Sequence, residues 1–194
     1  MQILLIVAQN KKSCFNHGIT ERAAAVLKEL GHTVFIHDLY AEHFDPVLPL
    51  GEDSLPENDL PQVIQDYLAE VRSADGLIFV HPNWWGSPPA VLRGWVERVF
   101  RQGSVYNFTP QGPVSYIGGK TVQVFSTSNT PRDIELNVYH DPIQNFWETV
   151  VFGLLGCKSF ERRNFEQIIL STPEEREKWL DEVEKTIKRR FAAV

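Results

Sequence analysis

Short runs of β-branched and apolar residues alternate along this chain with longer stretches in which apolar residues recur every three or four positions. A continuous apolar run suits a strand buried on both faces, and the longer period suits an amphipathic helix, so the alternation predicts an α/β protein with a parallel sheet covered by helices on both faces. Five strands are predicted: Ile3 to Ala8, Thr33 to His37, Gly76 to His81, Thr121 to Ser126 and Lys158 to Phe165.

One helical stripe follows each of them. Ile19, Ala23, Val26, Leu27 and Leu30 form the first, and Gly31 stands where a left-handed C-terminal cap is expected. Val63, Ile64, Tyr67, Leu68 and Val71 form the second, with Pro61 acceptable in its first turn, and Leu92, Trp95, Val96, Val99 and Phe100 the third. Ile143, Phe146, Trp147, Val150 and Leu154 mark a fourth, and Leu180, Val183, Ile187 and Phe191 a fifth. Thr172, Pro173 and Glu175 give the last helix a cap, a first-turn proline and a capping-box partner.

Three connections are longer than most loops: the acidic, proline-containing segment 38–60, the glycine-rich and aromatic segment 102–120, and the polar segment 128–140. The loops at 9–18, 82–89 and 128–140 all follow strands. In an open parallel sheet they converge at the carboxyl edge, where a ligand is expected.

The first loop runs Gln9-Asn10-Lys11-Lys12-Ser13-Cys14-Phe15-Asn16-His17 into a helix. Its hydroxyl, amide and backbone donors at a helix start suit a phosphate; equally, Ser13 and Asn16 suit simple helix capping. It contains neither GxGxxG nor GxxxxGK[ST], which argues against a dinucleotide Rossmann or P-loop nucleotidase site. The second loop, His81 to Pro89, carries tandem Trp84 and Trp85 beside Gly86 and two prolines. Such a stiff aromatic turn suits a planar heteroaromatic ligand, and the alternative is that an indole plugs the core or a dimer interface. The third loop concentrates small donors at Ser126, Thr127, Ser128, Asn129 and Thr130, followed by Tyr139 and His140 as candidate proton donors, with a solvated surface histidine as the bland alternative for His140.

Composition and charge mainly exclude. The 194 residues are 43% hydrophobic, enough for one core and one domain, and the formal charge of -6 speaks against a nucleic-acid or anionic-membrane surface. No apolar run approaches a membrane span, and no basic segment with a cleavage site precedes the first strand, so a cytoplasmic protein without membrane insertion is expected. Cys14 and Cys157 are isolated, which predicts free thiols and no metal cluster. Cys14 also lacks the phosphatase CxxxxxR spacing, since Thr20 stands six positions on.

These features resemble the flavodoxin-like NAD(P)H:quinone oxidoreductases, the family of DT-diaphorase, bacterial modulator-of-drug-activity proteins and ancillary proteins of potassium-efflux systems. The resemblance rests on Ser13-x-Phe15-Asn16, on Asp38-Leu39-Tyr40 with Phe44-Asp45-Pro46, and on Pro82-x-x-Trp85-x-x-x-Pro89-Ala90-x-Leu92-x-Gly94-Trp95-x-x-Arg98-Val99-Phe100. Thr127 to Pro131, Asp141-Pro142 and Trp147 look like a bacterial branch. Many members carry His where this chain has Gln9, Gly-Gly at Ser128-Asn129, and Ser at Cys14.

The resemblance implies one flavodoxin-like domain over residues 1–194, a doubly wound five-stranded sheet in the order 2-1-3-4-5. It implies FMN or FAD, with NAD(P)H as donor, two-electron hydride transfer to a quinone or related acceptor, and a homodimer with its active site at the subunit interface. By it, Ser13, Cys14, Phe15 and Asn16 hold the flavin phosphate, Pro82, Asn83, Trp84 and Trp85 flank the ring and ribityl chain, Ser126, Thr127, Ser128 and Asn129 meet the pyrimidine edge, and Gln9 is a further cofactor-binding residue. Tyr139 and His140 fall near a Tyr/His pair beside the ring. A flavodoxin-type electron carrier and a flavin-binding regulatory partner of a transporter are the competing readings.

Overall fold

A computed structural model describes residues 1–192. Its main sheet has five parallel strands, β1 (Gln2–Val7), β2 (Thr33–Asp38), β3 (Gly76–Pro82), β6 (Thr121–Thr127) and β7 (Ser159–Phe165), in the spatial order β2-β1-β3-β6-β7. Renumbered without the small hairpin, this is the expected order 2-1-3-4-5. Each strand lies within about a residue of the stretch predicted for it, because an apolar run ends where the chain turns toward water.

Helices α1 (Phe15–Glu29) and α7 (Pro173–Phe191) cover one face of the sheet, packing on Ile3, Leu5, Val7, Ile78, Val80 and Phe125. Helices α2 (Gln62–Ser73) and α3 (Ala90–Val99) cover the other. Gly31 takes the left-handed conformation at φ 80°, as its position after α1 predicts. Thr172 and Glu175 form the expected reciprocal capping box of α7.

The fourth helical stripe corrects the sequence reading. It begins with α5 (Pro142–Gln144), passes through a π-helical segment, Asn145–Val151, and ends with α6 (Phe152–Leu155). The wider π turn inserts an extra residue per turn and rotates the helix. Ile143 and Trp147 are buried as expected, but the next inward position is Val151 rather than Val150, which is 57% exposed. Val63 likewise faces solvent while Ile64, Tyr67, Leu68 and Val71 are buried.

Two long connections contain structure that the pattern did not predict. Segment 102–120 carries an antiparallel hairpin, β4 (Tyr106–Thr109) with β5 (Gly112–Ser115), closed by Gly112 at φ 115°. Segment 128–140 carries α4 (Arg132–Asn137). The excursion after β2 is pinned to α3: buried Arg98 makes a bidentate pair with Glu52 and donates to the Asp45 carbonyl at 2.7 Å. Pro46 then lies so close to α3 that only a glycine fits at position 94, where a Cβ would collide with the Pro46 backbone.

Candidate active site

The loops leaving β1, β3 and β6 meet at the carboxyl edge around a cavity of about 220 Å³. Gln9, Cys14, Phe15 and Asn16 line it from the first loop, Pro82, Asn83 and Trp84 from the second, and Thr127, Ser128 and Asn129 from the third. Ile168, beyond β7, completes the wall. This is where neighbouring crossovers of a doubly wound sheet leave in opposite directions and open a crevice.

Asn16 ties the first loop to the third. Its Nδ2 donates to Gln9 Oε1 at 3.3 Å and to Thr127 Oγ1 at 3.2 Å, while its buried Oδ1 has no partner. A buried acceptor without a donor is costly unless an occupant supplies one.

The start of α1 bears on the two readings of Ser13 and Asn16. Cys14 is the N-cap residue, and no side chain accepts a hydrogen bond from the first turn. Among the described residues, the N–H groups of Ser13, Phe15 and Asn16 meet no acceptor. Ser13 itself is held at φ 54°, a conformation uncommon outside glycine, and exposed Lys11 and Lys12 precede it. Unpaired N–H groups, helix dipole and nearby lysines together favour an anion.

The second loop is rigid for a local reason. Trp84 and Ser87 exchange two backbone hydrogen bonds, at 3.0 and 3.1 Å, closing a turn whose central residues Trp85 and Gly86 both have positive φ, 56° and 69°. That is the signature of a type I′ turn, costly for a tryptophan. Asn83 holds the turn to the scaffold: its Oδ1 accepts from Gly86 N–H at 2.9 Å, and its Nδ2 donates to Glu135 Oε1 at 2.8 Å. Its own N–H donates to the Thr127 carbonyl at 2.7 Å.

Two buried ionisable groups support this wall. Burial, reinforced by the nearby Asp141 charge, raises the Glu135 carboxyl above its ordinary value against the pull of Arg162 and the Asn83 hydrogen bond. Burial lowers His81 to about 4. Its Nε2 accepts from Trp147 Nε1 at 3.0 Å, so Nδ1 carries the hydrogen and donates to the Pro82 carbonyl at 2.8 Å. A neutral imidazole thus fixes the strand end from which the second loop springs.

Five predicted residues stand outside the cavity wall. Ser13 is exposed beside it. Ser126 is fully buried and donates to Asn164 Oδ1 at 2.8 Å; Asn164 Nδ2 in turn donates to Ser128 Oγ at 3.1 Å, so Ser126 acts through Ser128 rather than facing the cavity. Trp85 projects wholly into solvent, and Tyr139 and His140 are exposed on the third loop. Sequence reasoning missed Ile168, Glu135 and Asn164. Glu135 bears on the site only through Asn83, a relationship no local pattern encodes.

Comparisons with known proteins agree with this fold. A family model described as having the flavodoxin-like fold matches residues 1–191. An uncharacterized NAD(P)H oxidoreductase of Haemophilus influenzae is 31% identical over 86% of this chain and 82% of its own length. NAD(P)H dehydrogenase [quinone] 1 of Cavia porcellus is 34% identical over 73% of this chain but 61% of its own length, so the chain spans less than two thirds of that relative. An FMN-dependent NADH-azoreductase of Bacillus anthracis, solved with FMN, superposes with a TM-score of 0.81 at 16% identity over the whole of both chains, a likeness of fold.

Proposed function

We propose, from the premise that the chain belongs to the flavodoxin-like family matched over residues 1–191, that it is a flavin-dependent NAD(P)H oxidoreductase reducing quinones or related acceptors by two-electron transfer. The observation that carries this reading is the meeting of three strand-end loops around Asn16, with free N–H groups at one end of the cavity and a rigid aromatic turn at the other. The names of the relatives from Haemophilus influenzae and Cavia porcellus point to the same chemistry.

The residues fit FMN or FAD. The N–H groups of Ser13, Phe15 and Asn16 would hold a phosphate, and the orphaned Asn16 Oδ1 would accept from a ribityl hydroxyl. Pro82, Asn83 and Trp84 would flank the ring, and Thr127, Ser128 and Asn129 would meet its polar edge. A bound flavin supplies the hydride-accepting and hydride-donating chemistry. The chain supplies orientation and a water-poor setting: Asn83 is fixed between Gly86 and Glu135, and the His81–Pro82 hydrogen bond holds the strand end.

The rim would be completed by a second copy. Trp85, Val138 and Tyr139 are exposed on two loops that the Asn83–Glu135 bond joins, and we assign this patch to a homodimer interface that completes the acceptor pocket. Proton donation by Tyr139 or His140 belongs to that completed site. In this reading residues 1–194 act as one domain in the cytoplasm, where NAD(P)H is available. No helix among the described residues is long and apolar enough to cross a membrane.

Steady-state kinetics test the assignment. NAD(P)H oxidation by the flavin-loaded protein, measured against a benzoquinone at several donor concentrations, is expected to give parallel double-reciprocal lines, as substrates using one slot in turn require. Flavin-loaded protein that fails to oxidise NAD(P)H in the presence of quinone contradicts it.

A further inference from the structure

One cluster at the cavity brings a thiol, an imidazole and a carboxylate together. Cys14 Sγ lies 3.3 Å from His17 Nδ1, and His17 Nε2 lies 3.0 Å from Asp38 Oδ2. The first turn of α1 sets His17 over Cys14, three residues apart on one helix face. Asp38, at the end of β2, comes from a different element. Its other oxygen, Oδ1, accepts from the N–H groups of Tyr40 and Ala41, both at 3.1 Å, so Oδ2 is left for the imidazole. A carboxylate on Nε2 places the hydrogen there and leaves the Nδ1 lone pair facing the thiol. Nucleophile, base and orienting acid stand in the order that activates a thiol.

We propose that Cys14 is a nucleophilic thiol and a covalent modification site for soft carbon electrophiles of the α,β-unsaturated carbonyl class that enter the cavity. Cys14 lines the cavity, and so does Asn16, which is 3% exposed and holds an unpartnered buried Oδ1 there, an independent sign that the space takes a polar occupant. In the reaction the S–H proton passes to His17 Nδ1 while a sulfur lone pair bonds to the β-carbon. The electrons of the C=C bond move to the carbonyl oxygen as an enolate, which then takes the proton back from His17. One C–S bond forms, the S–H bond breaks, and no outside oxidant or reductant is consumed. A flavin phosphate bound at the start of α1 would compete with the electrophile for access to Cys14.

Cys157 serves as the internal control. It is half-buried, burial pushes its thiol up, and among the described residues no histidine bonds to it.

The experiment is N-ethylmaleimide labelling of the purified chain at neutral pH, followed by intact mass and peptide mapping over time. Cys14 is expected to be alkylated at least about tenfold faster than Cys157. Replacing the base, His17→Asn, is expected to slow Cys14 by roughly a hundredfold, the low end of a positioned base's contribution. Asp38→Asn can keep the Tyr40 and Ala41 hydrogen bonds while presenting an N–H to His17, which reverses the imidazole tautomer; it is expected to slow Cys14 as well, and it serves as the second variant if His17→Asn fails to fold by circular dichroism. Alkylation of Cys14 no faster than Cys157 overturns the proposal, as does a wild-type rate at Cys14 in either folded variant.

Discussion

Asn16 Nδ2 donates to the Thr127 hydroxyl at 3.2 Å and so joins the loops after β1 and β6 across 111 residues of chain. Both residues line the cavity, and the bond sets the distance between the end that favours an anion and the wall of small polar side chains. Replacing Asn16 with Ala leaves Gln9 and Thr127 without this partner and removes the orphaned acceptor. Flavin affinity, followed by quenching of flavin fluorescence on titration, is expected to fall at least about tenfold, the worth of one to two hydrogen bonds. Unchanged affinity in a folded Asn16→Ala protein removes Asn16 from the site.

Gly94 tests how the excursion after β2 is seated. An added Cβ meets the Pro46 backbone, which cannot rotate away as a side chain can. Gly94→Ala is expected to cost about 1–3 kcal/mol in denaturant unfolding, the usual range for overpacking a close contact. A variant as stable as the parent means that the 44–46 segment yields freely.

His81 makes stability depend on acid. In the folded chain it stays neutral down to about pH 4, because burial disfavours the cation, whereas in the unfolded chain it takes up a proton near its ordinary 6.5. Between these values the unfolded state binds more protons, so stability falls as the pH falls. From pH 7 to pH 5 this single group accounts for a loss of about 2 kcal/mol. Urea unfolding at the two pH values is expected to show that loss, and His81→Gln is expected to reduce it by the same amount. An identical pH dependence in the variant contradicts the account.

The central strands were legible because they are buried on both faces: Gly76–Pro82 and Thr121–Thr127 read as apolar runs between turns, and nothing in the tertiary fold opposes that pattern. The cavity wall was legible for a related reason, since loops following successive parallel strands must emerge at one edge. The π-helical turn was not, because Val150 and Val151 are adjacent valines and only packing around Trp147 decides which faces inward. The hairpin at 106–115 hid in a segment that alternates weakly and contains Pro110 and Pro113. Long-range partners were the least legible. Glu135 under Asn83 and Asp38 behind His17 are brought together only by the folded topology, although Cys14-x-x-His17 lay in the sequence at a spacing that a helix start makes adjacent.

The central claim is that the cavity at the carboxyl edge holds a flavin, and the most direct measurement is made on the protein as purified and after incubation with FMN or FAD. Absorbance near the visible flavin bands, with mass spectrometry of the small molecule released on denaturation, is predicted to give about one FMN or FAD per chain, bleached by NAD(P)H and restored by a quinone. A chain that releases no flavin, takes up neither FMN nor FAD on incubation and stays colourless contradicts the account.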